Sequence, residues 1–315
     1  MTSLSSSSRP LLTGFITLFQ VLTVSPVIAE QSLRGSQIFA IERSPNTADD
    51  GASLGQQKDL EFSGWSRSRL DYRLKLENGD QIRAAQWLEA ELFPVDEELD
   101  RFRAETRASY WTQVSKDTQI RLEAAHSYVR DRDQTVFFRP RIGAQARYRH
   151  DPQNLSRARL RFGYREQNEA TFKGFDQAEV RLELGHDWRN VDRKLRLSGT
   201  IFGEHRAADE DRFSYTEGGL RLNGRYALAD DLSLSSRIET SFRTYADDFS
   251  ARVADRREDL RIRAQLGLRY QLNEHVAFAG SVGWDRTNST IGVRDYSGLT
   301  LGLSLEVSGI LWNEE

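Results

Sequence analysis

From Leu60 to Glu77 the chain alternates without a break. Leu60, Phe62, Gly64, Ser66, Ser68, Leu70, Tyr72, Leu74 and Leu76 share one phase; Glu61, Ser63, Trp65, Arg67, Arg69, Asp71, Arg73, Lys75 and Glu77 share the other. Period two is the mark of a strand, because successive side chains point to opposite faces, and no helix would sort these residues. The pattern returns along the chain. Phe102, Ala104, Ala108 and Tyr110 alternate with Arg101, Arg103, Glu105 and Arg107, and Ala158, Leu160, Phe162 and Tyr164 with Arg157, Arg159, Arg161 and Arg165. Near the end, Leu260, Ile262, Leu266, Leu268 and Tyr270 alternate with Arg261, Arg263, Gln265 and Arg269. The runs last about ten to eighteen residues, whereas strands of soluble proteins usually stop at about five or six. Such lengths suit a tilted strand crossing a bilayer.

The connections alternate in size. Short turns fall at 78–80, 115–118, 150–154, 190–193, 229–231 and 273–275; longer charged loops fall at 94–100, 130–134, 167–176, 207–212, 247–258 and 287–297. Short turns on one rim and long loops on the other describe an all-β, up-and-down antiparallel transmembrane β-barrel with a periplasmic and an outer rim. Thirteen strands stand out between Leu60 and the C-terminus. Bacterial barrels have even strand numbers. Leu33 to Arg43 supplies an outgoing first strand and makes about 14 strands; the rival count is 12, with residues 30–58 forming a periplasmic tail or plug. The barrel itself occupies residues 59–315.

Composition excludes other classes. A mean hydropathy of -0.62 with 29% charged residues does not describe a bundle of transmembrane helices, each needing about 20 apolar residues in a row. The absence of Cys removes disulfides, thiolate metal sites and cysteine nucleophiles. Only the N-terminus is strongly apolar. Residues 1–29 read as a secretory signal peptide, with Arg9, an apolar stretch from Leu11 to Ile28 and small Ala29 at the expected cleavage point. Everything after it then folds beyond the inner membrane, where nucleic acid is no partner; outer-membrane lipids, lipopolysaccharide and the barrel-assembly machinery are the expected ones.

A magnitude orients the barrel wall. Arg or Lys facing lipid at the midplane costs about 2–4 kcal/mol, so turning Arg157, Arg159 and Arg161 outward would cost roughly 10 kcal/mol. The arginine face is therefore the lumen. Arg139, Arg141, Arg147, Arg157, Arg159, Arg161 and Arg165 are expected to form one positive wall, and Arg221, Arg225, Arg237, Arg243, Arg261, Arg263 and Arg269 a second. Only five of the 44 basic residues are Lys. Guanidinium keeps its charge when partly desolvated and its fork binds carboxylate or phosphate through paired hydrogen bonds. A ladder of such groups suits passage of anionic solutes or acidic oligosaccharides; the same arginines could instead pair with inward Glu61, Asp71, Glu105, Glu123, Glu179, Glu183 and Glu239 and close the bore.

The segment Thr300 to Val307 (TLGLSLEV) resembles the insertion signal in the last strand of Gram-negative outer-membrane β-barrels, carried here by Thr300, Gly302, Leu305 and Val307. The chain departs from the pattern by ending Trp312-Asn313-Glu314-Glu315 rather than on an aromatic. Its last 60 or so residues are similar to the closing strands of porin-like families, some of whose members accompany exopolysaccharide export. The resemblance implies an outer-membrane location and a transport role.

Catalytic signatures are scarce. No GxSxG, HExxH or phosphate-cradling glycine motif is present, and no cofactor or metal ligand is assigned. His126 and His186 share the lipid-facing phase of their strands, and His186 and Asp187, being adjacent, point to opposite faces. The strongest enzymatic or metal candidate is His205 beside Glu204, followed by Asp209, Glu210 and Asp211. Three readings stand: an anion channel, an enzyme acting on lipid or lipopolysaccharide, and a closed structural or export-accessory barrel.

Overall fold

The structure, a computed structural model, describes residues 28–45, 60–95, 97–131, 135–167, 174–250 and 253–314. Among them fourteen antiparallel strands close a single barrel. They are β1 (Ile28–Pro45), β2 (Leu60–Leu76), β3 (Gln81–Leu92), β4 (Arg101–Gln113), β5 (Thr118–Asp131), β6 (Thr135–Arg149) and β7 (Asn154–Gln167). The second half comprises β8 (Gln177–Arg189), β9 (Leu195–Ala208), β10 (Tyr215–Ala227), β11 (Leu232–Ser250), β12 (Val253–Gln271), β13 (Val276–Ser289) and β14 (Tyr296–Glu314). Every strand pairs with its sequence neighbours. The ring shuts where β1 pairs with β14 over the register Gln31↔Glu314 to Arg43↔Leu301. The first strand is thus part of the wall, not a tail or plug. It begins at Ile28, two residues before the expected cleavage point; the rest of the apolar leader and residues 46–59 lie outside the described residues.

Hydropathy sets the two faces. Phe39, Ile41, Leu122, Ile142, Leu160, Phe162, Leu182, Ile201, Leu222, Ile238, Leu266, Val282 and Leu303 are exposed on the outside, and the residues between them turn inward. Tyr110, Tyr148, Tyr226, Tyr270 and Trp284 stand exposed on the same outer face, suited to the membrane interfaces. The short turns and both ends of the wall share one rim.

The expected loop at 247–258 is corrected. β11 continues to Ser250 and β12 starts at Val253, the pair sliding in register beyond Thr244. Above the bilayer neither face of a hairpin has to be apolar, so the alternation that reveals a strand inside the membrane disappears while the hydrogen-bonded ladder goes on.

Candidate functional site

Most charged side chains of the strands turn into the lumen, and its two sides differ. From β4 to β9 the inward side chains interlock. Arg141 donates to Glu105 at 2.7 Å and to Ser127 at 2.8 Å, while Arg107 meets the same Glu105 at 2.6 Å. Glu123 accepts from Arg159 Nε at 2.8 Å and also pairs with Arg121. Arg159 and Arg161 lie 3.5 and 3.6 Å from Glu183, which takes a 2.9 Å bond from Arg181. Arg181 reaches on to Glu204 at 2.9 Å, Arg206 meets Glu204 at 2.6 Å, and Glu179 joins Arg139 and Arg206. The carboxylates are deeply covered: the side chains of Glu123 and Glu204 are both 5% exposed. The space left between Arg107, Glu123, Arg141, Arg159 and Arg161 is about 10 Å³, room for one water at most.

Glycine makes this fit. A Cβ on Gly163 would stand 2.5 Å from the Glu179 carboxylate and 2.8 Å from Arg141 Cγ, and one on Gly185 would stand 2.7 Å from Arg157 Nε. Relief of crowding, rather than a bend, is what these strand glycines provide.

Aromatic residues in the arginine phase of their strands finish the packing. Arg181 lies 4.1 Å over the Phe202 ring, Arg243 4.1 Å over Tyr215, and Arg165 4.4 Å over Phe137, all three rings buried. At the long-loop rim Phe175 stacks on Phe213 with centroids 3.6 Å apart, and Val129, Val136 and Phe137 form a small apolar core. The sequence reading missed these rings; the signal available was an aromatic standing where the alternation calls for Arg.

The opposite side is built differently. Ala277, Ala279, Ser281 and Gly283 of β13 face inward beside Ser304, Gly302 and Thr300 of β14, with Ser36 and Ala40 of β1 next to them. Their charged neighbours are more open: the Arg263 side chain, 2.7 Å from Asp285, is 50% exposed, and Arg237, 2.5 Å from Glu239, is 40% exposed. Small side chains line this part of the wall, with Ala40 and Ala277 buried.

The expected lumen residues therefore face inward, but most do not stand as bare cations. Besides those above, Arg157 pairs with Asp187, Arg221 with Glu239 at 2.9 Å, Arg243 with Glu217 at 2.7 Å, Arg261 with Asp259 at 3.8 Å and Arg269 with Glu306 at 3.0 Å. Arg147 lies against Trp111, and Arg225 reaches Ser233 at 3.4 Å. Of the insertion signal, Thr300 and Gly302 face the lumen and Leu305 and Val307 face lipid.

The His205 candidate comes apart. Glu204 is buried inside against Arg181 and Arg206, whereas His205 is exposed on the outer face, 3.0 Å from Thr216. Adjacent strand residues cannot share a site, which the alternation itself required. A cluster not anticipated sits near the short-turn rim, where Ser156 Oγ lies 2.8 Å from His150 and 3.0 Å from His186, itself 3.2 Å from Asn154. Ser156, the third residue of β7, is paired with Tyr148 of β6 and His186 of β8, so the ladder takes up the backbone N–H groups around it and no donor pair stands ready for a developing oxyanion. Among the described residues no group of three or more His, Asp or Glu is placed to hold a metal ion.

Solved structures that superpose on this barrel include outer-membrane proteins. OmpT of Vibrio cholerae, folded in vitro, superposes with a TM-score of 0.53 at 8% identity, covering 91% of this chain and 99% of its own. A loop L8 deletion mutant of the same protein gives 0.51 at 10% identity, over 89% and 100%. The outer-membrane channel DcaP of Acinetobacter baumannii gives 0.51 at 12% identity, over 90% and 97%. The fold is that of an outer-membrane porin-type barrel. No protein-family model matches the sequence, and no curated protein is similar to it in sequence.

Proposed function

We propose that the barrel is an outer-membrane channel for anionic solutes, acidic oligosaccharides among them, and that it serves exopolysaccharide passage. What supports the reading is the one-sided lumen: inward arginines outnumber inward carboxylates among the described residues, and the wall of β13, β14 and β1 presents small Ser, Gly, Ala and Thr side chains instead of long charged ones. Anions are drawn in by the surplus, and because most arginines already hold a carboxylate, no single one grips the solute hard enough to stop it. The solved DcaP channel, alike in fold, lends the transport reading context.

Reversal potential across a salt gradient tests this. The wild-type protein in a planar bilayer should prefer anions, and joint replacement of Arg157, Arg159 and Arg161 by Gln should lower the preference by leaving Asp187, Glu123 and Glu183 short of cations. Cation preference in the wild type, or no conductance, overturns the proposal.

A further inference from the structure

Charge is not spread evenly along the bore. Toward the long-loop rim, directly opposed cross-strand residues are mostly of opposite sign, as in Glu91↔Arg101, Glu179↔Arg206, Arg181↔Glu204 and Arg263↔Asp285. Toward the short-turn rim several opposed pairs are of like sign instead, although Glu30↔Lys75 and Arg34↔Asp71 stay opposite. Arg73 opposes Arg83, Arg147 opposes Arg157, and Arg196 opposes both Arg189 and Arg225. Like charges directly opposite each other are destabilising, and a barrel that balances its other end has no structural need for them.

The cluster has a centre. The buried Trp111 ring, at the end of β4, carries three guanidinium carbons: Arg147 at 4.4 Å, Arg121 at 5.0 Å and Arg83 at 5.1 Å from its centroid. They come from three different strands, β6, β5 and β3. Local carboxylates are few, since Glu123 is divided between Arg121 and Arg159, and Asp187 between Arg157 and Arg196. Arg83 donates to the neutral Gln81 oxygen at 2.9 Å. The Nε atoms of Arg121 and Arg147 are buried and donate to no acceptor. Three guanidiniums gathered around one aromatic ring, with few carboxylates to neutralise them, are what an oxyanion needs.

We propose that Arg83, Arg121 and Arg147, gathered on Trp111, form a binding site for an oxyanion group, a carboxylate or a sulfate, at the short-turn mouth of the lumen. This rim carries the short turns and so faces the periplasm. The site therefore loads from the periplasmic side, and an acidic solute meets its strongest attraction before it meets the balanced upper bore. The inference rests on the channel reading and adds to it a place and a side of entry.

Equilibrium dialysis of the full-length, detergent-solubilised barrel against sulfate and against trigalacturonate, at constant ionic strength, tests it. Saturable binding should weaken by at least roughly tenfold in Arg147→Gln and in Arg83→Gln, because a charged hydrogen-bond partner is lost. Lys116→Gln, in the exposed turn at the same rim, should bind as the wild type does. Saturation by trigalacturonate and not sulfate assigns the site to carboxylated sugar; saturation by sulfate and not trigalacturonate assigns it to small inorganic oxyanions. Without ligand, Arg147→Gln should raise the urea unfolding midpoint, since it relieves repulsion. No saturation with either probe, wild-type binding in Arg147→Gln, or a lowered midpoint overturns the inference. Conductance of the same samples separates the two proposals: a conducting anion channel with no saturable site sinks only this one, and a barrel that binds but never conducts sinks only the channel.

Discussion

The wall from β4 to β9 and the wall from β12 through β14 to β1 have the same hydrogen-bonded frame and the same apolar exterior, yet their interiors are opposites. In the first, long arginines cross glycines to reach buried carboxylates, and a space of about 10 Å³ remains. In the second, Ala, Ser, Gly and Thr line β13, β14 and part of β1, and Arg263 stands half exposed over the buried Asp285. The contrast teaches that an inward charge in a barrel can serve as packing or as lining, and that the decision belongs to the neighbours. An arginine with a glycine across the strand and a glutamate one strand further becomes part of a solid wall.

The largest separation between the walls should be in stability. Glu204→Ala leaves Arg181 and Arg206 without their shared carboxylate in a covered site, at a cost of about 3–5 kcal/mol. Glu306→Gln, breaking the 3.0 Å pair with the partly exposed Arg269, should cost about 0–1 kcal/mol. Urea unfolding of the two variants in lipid vesicles measures both; equal losses would erase the distinction.

A steric probe sharpens it. Ser304 has Ala40 and Ala279 as its cross-strand neighbours, so Ser304→Trp has room to enter the bore. Single-channel conductance should fall several-fold with little change in the unfolding midpoint. A conductance equal to wild type would mean that the path lies elsewhere.

The smallest effect lies outside both walls, in the turn between β2 and β3. There the hydrogen bond from Tyr110, aided by one from Thr112, holds the Asp80 carboxyl below the usual carboxylate range. A group depressed on folding adds stability above its unfolded value and loses it as pH falls through the folded one. Tyr110→Phe should therefore lower the unfolding midpoint slightly at pH 7 and match the wild type near pH 2. A difference that persisted in acid would point to packing instead.

Period-two alternation fixed most of the fold because a membrane-spanning strand meets lipid on one face and lumen on the other, and a charge on the wrong side costs several kcal/mol. Leu60 to Leu76 and Asn154 to Gln167 followed from that rule, as did the inward direction of every arginine in the two ladders, whereas the fourteenth strand was expected from the even strand numbers of bacterial barrels. Where the rule lapses, above the bilayer at 247–258, the reading failed. The candidate site was legible only in part. Alternation assigns a face but not a partner, so it could place Arg159 in the lumen without revealing that Glu123 and Glu183 hold it; applied to His205 and Glu204, it separates them, as the structure does.

The sequence alone, then, determined the class, the wall orientation and the arginine-lined interior, since each depends on the local contest between side chain and lipid. Only the closed barrel decided which charges neutralise one another, because partners such as Arg141 and Glu105 lie 36 positions apart and meet only when the register of β4, β5 and β6 is set. It also decided that Arg83, Arg121 and Arg147 converge on Trp111, since three separate strands deliver them and no stretch of chain contains the site.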